Sequence, residues 1–521
     1  MSTYRFFEIL PGALAWTTLI LMVALSRIFP ASMAVFIILF DLYWLLKTMY
    51  LSFHLRSTFN VMKKNLKINW LKKLSDPEFE NCPALRNPSK GEKLSRFAGS
   101  SGGGKIGNWR DMYHLVVFPM YREPYEVARE SFERLTRSNY PKEKFIVVLG
   151  IEERAGAEAK AVAEKIEKEF GNQFFRFLIS AHPSGLPGEI PGKGSNETWA
   201  ARRAKEIIDT LKIDYKNILV SVFDIDTQVF PEYFGRLTYV FLHAEHPLRA
   251  IYQPVPLFVN NIFKAPALAR VIAFSSTFWQ MMQQSRPERL TSFSSQSVPF
   301  PVLADIGFWD TGIVSEDSRI FWQGYLRYHG DFRVEPLFYP VSMDANVAPT
   351  FWQTMRNNYK QHRRWGWGVE NIPYMLEGFR NDPAISRRKK WYWSFHTIEG
   401  FWSWATNSLM IFALGWLPVV LGGREFNHTI LSYSLPQAAR FIIQLSMIGI
   451  ASSAILGILL LPPRPPGLGR WHYALYLLQW ALIPVTLIAF GSIPGLEAQT
   501  RLMLGGKWRL GFWVTPKSRE L

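Results

Sequence analysis

Two acidic residues stand two apart in Phe223-Asp224-Ile225-Asp226-Thr227, directly after an apolar run. Carboxylates at a strand end can hold a hard divalent cation, which takes oxygen ligands and offsets the charge of a diphosphate. Far along the chain, Gly312-Ile313-Val314-Ser315-Glu316-Asp317 offers a second acidic pair. A carboxylate there can accept the proton that an attacking hydroxyl must lose, and Ser315 is placed to cap a helix at the same point. Lys193 and Asn196 fall where a helix is expected to begin, a position that favours phosphate. Gln361-His362-Arg363-Arg364-Trp365 brings a guanidinium able to hold pyrophosphate bidentately beside an indole able to form the apolar face of a sugar site. Pro119-Met120-Tyr121-Arg122-Glu123-Pro124 sets an aromatic ring and a carboxylate after another apolar run, able to stack on and hydrogen-bond a base.

The segments between these groups read as an open α/β sheet. Strands are expected over 114–118, 144–151, 174–180 and 217–223, alternating with helices over 125–137, 155–170 and 197–211. Ligands of such sheets bind beyond the carboxyl ends of the strands. The polar residues fall there: Pro119, Tyr121 and Glu123 after the first strand, Lys193 and Asn196 after the loop that follows the third, and Asp224 and Asp226 after the fourth.

Of the 521 residues, 48% are hydrophobic and 15% aromatic, so the chain exceeds one ordinary domain and is too apolar for a typical soluble enzyme. Runs long enough to span a membrane lie only near its ends: 9–28 and 31–53, joined by a short turn around Pro30, and then 401–421, 438–461 and 471–490. Three later spans would put the basic tail (Lys507, Arg509, Lys517, Arg519) across the membrane from a cytosolic middle domain, against the positive-inside preference. A fourth span or a re-entrant run is therefore expected, within 391–404 or the stretch through Pro484 and Pro494. Asp41, inside the second run, should face protein or water. The net charge of +17 arises in part from Lys and Arg flanking apolar runs, such as Lys63, Lys64, Lys67, Arg387 and Arg388, and is read as topology signal rather than nucleic-acid binding. Cys82 is the only cysteine, which excludes an intrachain disulfide and a cysteine zinc cluster. Ser100-Ser101-Gly102-Gly103-Gly104-Lys105 follows no strand and lacks Walker spacing, so 91–108 is a linker. The expected organisation is a transmembrane hairpin (1–53), a juxtamembrane amphipathic segment and linker (54–108), a cytosolic α/β domain (109–390), and interfacial and transmembrane helices with a basic tail (391–521).

Taken in order, Pro119-x-Tyr121-x-Glu123, Lys193, Asp224-x-Asp226, Glu316-Asp317 and Gln361-x-x-Arg364-Trp365 resemble the membrane-integrated family 2 glycosyltransferases, among them cellulose and hyaluronan synthases. The resemblance covers about 115–368, and Thr515-Pro516-Lys517 is similar to the family's ending. It implies a GT-A (Rossmann-like α/β) catalytic domain, a nucleotide-sugar donor, usually a UDP-sugar, and inversion by single displacement with Mg²⁺ or Mn²⁺. By position, Asp224 and Asp226 would engage metal and diphosphate, Asp226 the more directly. Asp317 would be the general base, and Gln361, Arg364 and Trp365 would close over donor and acceptor. The family's acidic pair after the second strand appears here shifted, as Gly150-Ile151-Glu152-Glu153, with Glu152 or Glu153 toward the base; Ser315 stands where threonine is usual. The family's acceptor-side signature is absent between Gln253 and Asp305, where Phe293-Ser294-Ser295-Gln296 is the nearest counterpart. A saccharide and a lipid-linked acceptor both stay open. The expectation is a multi-pass inner- or plasma-membrane enzyme that makes polymer. Its rivals are an enzyme adding one sugar to a lipid carrier or glycolipid, and a non-catalytic sugar-nucleotide sensor or scaffold.

Overall fold

The computed structural model describes residues 2–76, 108–469 and 471–517; Cys82, the glycine run before Lys105, and Arg519 lie outside them. Eight strands form one sheet: β1 (Tyr113–Pro119), β2 (Phe145–Glu152), β3 (Arg176–His182), β4 (Ile218–Val222), β5 (Gln228–Val229), β6 (Ala250–Phe258), β7 (Ser297–Pro299) and β8 (Arg333–Met343). Their spatial order is β3-β2-β1-β4-β7-β6-β8-β5. The first four are parallel, as the apolar runs suggested. Alternate residues explain why both faces are covered. Val116, Phe118, Val147 and Leu149 meet Val127 and Phe132 of the helix Tyr125–Thr136 on one face. Leu115, Val117, Ile146 and Val148 meet Ala200, Ala201 and Ile208 of the helix Lys193–Thr210 on the other. A strand buried on both faces reads as a continuous apolar run.

The other half of the sheet is mixed. β7 is antiparallel to β4 and β6, β6 and β8 run parallel, and β5 is antiparallel to β8. Pro254 and Pro256 lie in β6, and Pro336 and Pro340 in β8. Proline cannot donate to a ladder, and the pairing accommodates these residues with a register shift between Gln253 and Val255 and with Phe338 at φ 45°. Chain order steps from β1 to β2 to β3 and then returns to place β4 on the other side of β1. The strand order thus reverses between β1 and β4, the point at which open α/β sheets leave a crevice beyond the carboxyl ends of their strands.

Among the described residues, four helical runs are long and apolar enough to cross a membrane: Thr3–Ile28, Pro30–Asn65, Ile430–Leu459 and Trp471–Leu504. The run expected over 401–421 is not among them, which corrects the count of C-terminal candidates from three to two. It is divided between the helix Arg387–Leu409, a π turn Met410–Leu414 and a short helix Leu417–Leu421 entered through Pro418. Pro484 and Pro494 lie inside the last run, next to its 3-10 and π turns. The helix Pro30–Asn65 continues unbroken past residue 53. Leu39 and Leu46 on its outer part are exposed, whereas Leu55, Phe59 and Met62 pack with Val255, Phe274 and Met281 of the sheet domain. Asp41, inside the apolar part of this helix, is buried. The first helix is fastened to the end of the chain: Arg5 donates to the Leu502 carbonyl at 2.9 Å, and Glu8 pairs with both Arg5 and Arg509.

Candidate active site

The crevice is organised around one ammonium group. The helix Lys193–Thr210 starts at the lip of the β1/β4 crevice, and Lys193 Nζ lies 2.7 Å from both carboxylate oxygens of Asp317. It also lies 3.0 Å from Asp224 Oδ1 and 3.8 Å from Glu316 Oε1. Residues widely separated in sequence therefore meet at a single cation. Ser294 Oγ donates to Asp224 Oδ2 at 2.9 Å, and Ser292 Oγ to the Asp317 carbonyl at 2.6 Å. The acidic pair opens the helix Glu316–Arg327, but Ser315 does not cap it through its side chain. The hydroxyl donates instead to Glu370 Oε1 at 2.6 Å, which also accepts the backbone N–H of Val314 and Ser315. A carboxylate is the stronger acceptor for these donors, and it fixes the approach to the acidic pair.

A second cation sits beside the first. Asp226 is fully buried; its Oδ2 accepts from Lys517 Nζ at 2.6 Å and from the Asp344 backbone N–H at 2.9 Å. Its Oδ1 has no hydrogen-bond partner among the described residues. Glu123 accepts the Tyr121 N–H at 2.7 Å. Lys517 reaches this place along a tail. After Gly505 and Gly506 turn the chain at φ 69° and 52°, Arg509 pairs with Glu8 and Phe512 lies under the Arg364 guanidinium, 5.1 Å from ring to cation. Lys360 stands 5.2 Å from the Trp513 ring.

The electrostatics follow from burial and these two ammonium groups. Burial pushes the Asp224 carboxyl up, but Lys193 and then Lys517 outweigh it and bring it down to about 2. Burial raises Asp317, and Lys193 offsets only part of the rise. Burial and then repulsion from Asp317 lift Glu316 to about 8. Burial opposes the charge on Lys193, yet Asp224 and Asp317 hold its pKa well above the usual lysine value. A carboxyl raised toward neutrality is better matched to accepting a proton than an ordinary aspartate.

Of the remaining expected residues, Glu152 lines one cavity and Gln361 and Trp365 line another. Glu152, Arg154, His182, Pro183, Leu186 and Glu189 line a space of about 310 Å³. Glu152 pairs with Arg154 at 3.1 Å, Glu153 accepts the Ser184 N–H at 3.1 Å, and His182 meets Glu189 at 2.8 Å. The Tyr121 ring lies 4.5 Å from the Arg154 guanidinium and 5.1 Å from that of Arg122. Pro119 ends β1, opposite Gly150. Asn196 donates to the carbonyls of Gly150 at 2.9 Å and Met120 at 3.4 Å, tying the ends of β1 and β2 together. Gln361 and Trp365 line a space of about 220 Å³ with Phe258, Asp344, Asn346 and Asn358. Gln361 Oε1 accepts from Asn346 at 3.3 Å, and the Trp365 ring lies 6.1 Å from Phe258. Arg364 comes from the same helix, Phe351–Gly366, but serves the Asp317 side.

Sequence reasoning passed over Glu197, Asp344, Glu370 and the role of Lys517. Lys193 and Glu197 are one helical turn apart, the spacing at which opposite charges meet, so Glu197 was findable. Asp344 follows the proline-interrupted β8, which carried no strand signal.

The chain matches no family model and no curated protein sequence. Solved structures similar to it include a mannosyltransferase, PcManGT from Pyrobaculum calidifontis in complex with GDP-Man and Mn²⁺, at 11% identity over 75% of this chain and 98% of that one, with a TM-score of 0.39. S. aureus TarS 1-349 in complex with UDP aligns at 11% identity over 66% of this chain and 90% of that one, TM-score 0.36. Its complex with UDP-GlcNAc aligns at 16% identity over 65% and 90%, TM-score 0.30. Identity and superposition are low in all three.

Proposed function

We propose that this chain is a membrane-bound, inverting glycosyltransferase of the GT-A kind, using a nucleotide-sugar donor, a UDP-sugar, to extend a polymer. The observation that carries the reading is the position of Lys193. One ammonium joins the acid of a strand end, Asp224, to the acid of a distant helix start, Asp317. Asp224 follows the end of β4, beside the point where the strand order reverses. The donor base enters the cavity beside Tyr121, Glu152 and Glu153, which places the diphosphate toward Lys193 and Arg364. The sugar lies against Trp365. Asp317 takes the proton of the acceptor hydroxyl as that oxygen attacks the anomeric carbon. The bond to the diphosphate breaks on the opposite face, which inverts the centre. Lys193 and Arg364 receive the charge that develops on the departing nucleoside diphosphate.

In this reading Asp226, with Asp224, would hold a divalent cation. One of its buried oxygens is orphaned, and the other already accepts an ammonium. Mg²⁺ or Mn²⁺ held there would supply neutralisation of the diphosphate.

The four apolar helices are read as membrane spans, with the sheet domain on the cytosolic side. Lys517 touches Asp226, so the tail lies on the same side as the site and the chain crosses an even number of times between them. Two C-terminal spans satisfy that parity, which three would have broken; the fourth span or re-entrant run expected on that ground is not needed.

The test is nucleotide release by detergent-purified protein from a panel of UDP- and GDP-sugars with Mg²⁺ or Mn²⁺. Release from one donor should fall by about 10²- to 10⁴-fold in Asp317→Asn. Product sizing then separates polymer from a single lipid-linked sugar. Folded protein that releases nothing from any donor, with a membrane extract supplied as acceptor source, overturns the reading.

A further inference from the structure

Glu197 lies one turn beyond Lys193 on the same helix, and its carboxyl is wholly buried, with 0% exposure. Neither of its oxygens has a hydrogen-bond partner among the described residues. Glu316 packs against the same turn, so closely that a Cβ on Gly194 would stand 3.1 Å from the Glu316 Cβ. Its Oε1 is also without a hydrogen-bond partner. One oxygen from each of Glu197, Glu316 and Asp317 lies within 4.8 Å of the others.

The charged groups that face Glu197 are Lys193, Glu316, Asp317 and Asp224. Arg364 acts on Glu316 and Asp317 as well. Asp224 and Asp317, each at hydrogen-bond distance from Lys193, already more than balance that ammonium. A further ionised carboxylate in this dry space would be a buried charge without a partner, which proteins avoid by protonation. Burial drives Glu197 strongly in that direction, and Glu316 and Asp317 add to it. A proton on Glu197 also supplies the donor that the orphaned Glu316 oxygen lacks.

We propose that Glu197 is a positioning residue that keeps a proton at neutral pH and hydrogen-bonds Glu316, so that Asp317 is left as the ionised carboxylate facing Lys193 and the acceptor. The inference rests on the reading of Asp317 as general base. Glu197 acts through Glu316 and Asp317 rather than on the reacting atoms. A rival use of the same three carboxylates, binding a divalent cation, requires Lys193 to vacate its place beside Asp317.

Three measurements on the full-length protein decide between them. The first is an infrared band of a protonated carboxyl at pH 7, present in wild type and diminished in Glu197→Gln; its absence from wild type overturns the proposal without any substitution. The second is the pH dependence of the thermal midpoint. An unfolded glutamate releases its proton near its ordinary pKa of about 4.3, while the folded Glu197 retains it. Above that pH the folded state binds more protons, so wild type loses stability as pH rises. Glu197→Gln removes this loss, and its thermal midpoint should pull ahead of wild type progressively from pH 5 to pH 8. Parallel curves overturn the proposal, as does a slope in wild type that Mg²⁺ or Mn²⁺ abolishes.

The third is the pH profile of nucleotide release. Glu197→Leu, which offers no donor, should lower kcat at least about tenfold with little change in donor KM. Glu197→Gln should recover most of that loss and move the alkaline limb upward by about one pH unit or more. Equal loss in both variants with an unmoved limb marks Glu197 as packing only. The first two arms need no turnover, so they stand or fall independently of whether Asp317→Asn abolishes transfer.

Discussion

Two ammonium groups meet acidic residues at the same sheet edge, and they arrive by different routes. Lys193 opens a helix that crosses between strands of the sheet, and it touches carboxylates contributed by both sides of the crevice. Lys517 comes at the end of a tail held through Glu8, Gly192, Arg364 and Lys360. The inner cation is fixed by the fold and the outer one by docking. Segments held by few contacts open with low free energy. The site therefore has one positive charge built into the sheet domain and one brought to it by the tail.

The largest break in this comparison is Lys193→Gln. It strips Asp224 and Asp317 of the cation they share, and breaking a buried pair by removing one partner costs about 3 to 5 kcal/mol. Asp317 keeps 21% and Asp224 28% of its side chain in solvent, so the lower end of that range is expected. Nucleotide release should fall about 100-fold or more. Both are read from thermal midpoints and rates, and an unchanged midpoint would show that the inner cation is not structural.

Lys517→Gln should do less to the whole and more to the part. Global stability is expected to drop by about 1 kcal/mol, the scale of one net hydrogen bond, because the tail's other contacts survive. Amide exchange over residues 506–517 should nevertheless accelerate. Mn²⁺ should bind more tightly, since an ammonium no longer competes for Asp226. Unaltered exchange in the tail would mean that Lys517 is held no more loosely than Lys193, and the distinction would collapse.

The two halves of the sheet differ in how far they were legible. β1 to β4 could be read because each is a short apolar run followed by turn residues, and the residues after them, Tyr121, Glu123, Lys193 and Asp224, do collect at one edge. β6 and β8 could not, because Pro254, Pro256, Pro336 and Pro340 argue against a strand unless the pairing has a bulge, and a bulge is a property of two strands together. The same limit hid Glu370: its partners Val314 and Ser315 are local to the acidic pair, but the carboxylate that holds them comes from another helix start. Among the terminal helices, apolarity located the long ones well, but it did not reveal that Pro418 and a π turn divide the run over 401–421.

The smallest expected effect falls where the two cations are joined. Gly192 immediately precedes Lys193, and a Cβ there would stand 2.6 Å from Phe512 Cγ on the tail. Its φ of 161° is extended backbone open to any residue, so Gly192→Ala introduces no strain of its own. The methyl must displace the ring instead. Phe512 belongs to the less firmly held element, so it should yield while the start of the Lys193 helix stays in place. The expected result is a loss of about 1 kcal/mol in global stability, the low end of what overpacking costs. Tail exchange should be faster than in wild type but slower than in Lys517→Gln. Combined with Lys517→Gln, the effects on tail exchange should fall short of additive, because both substitutions loosen the same segment. If Gly192→Ala instead lowers the thermal midpoint as far as Lys193→Gln does, the ring is the rigid partner and the helix start gives way, so the tail would be part of what fixes the inner cation.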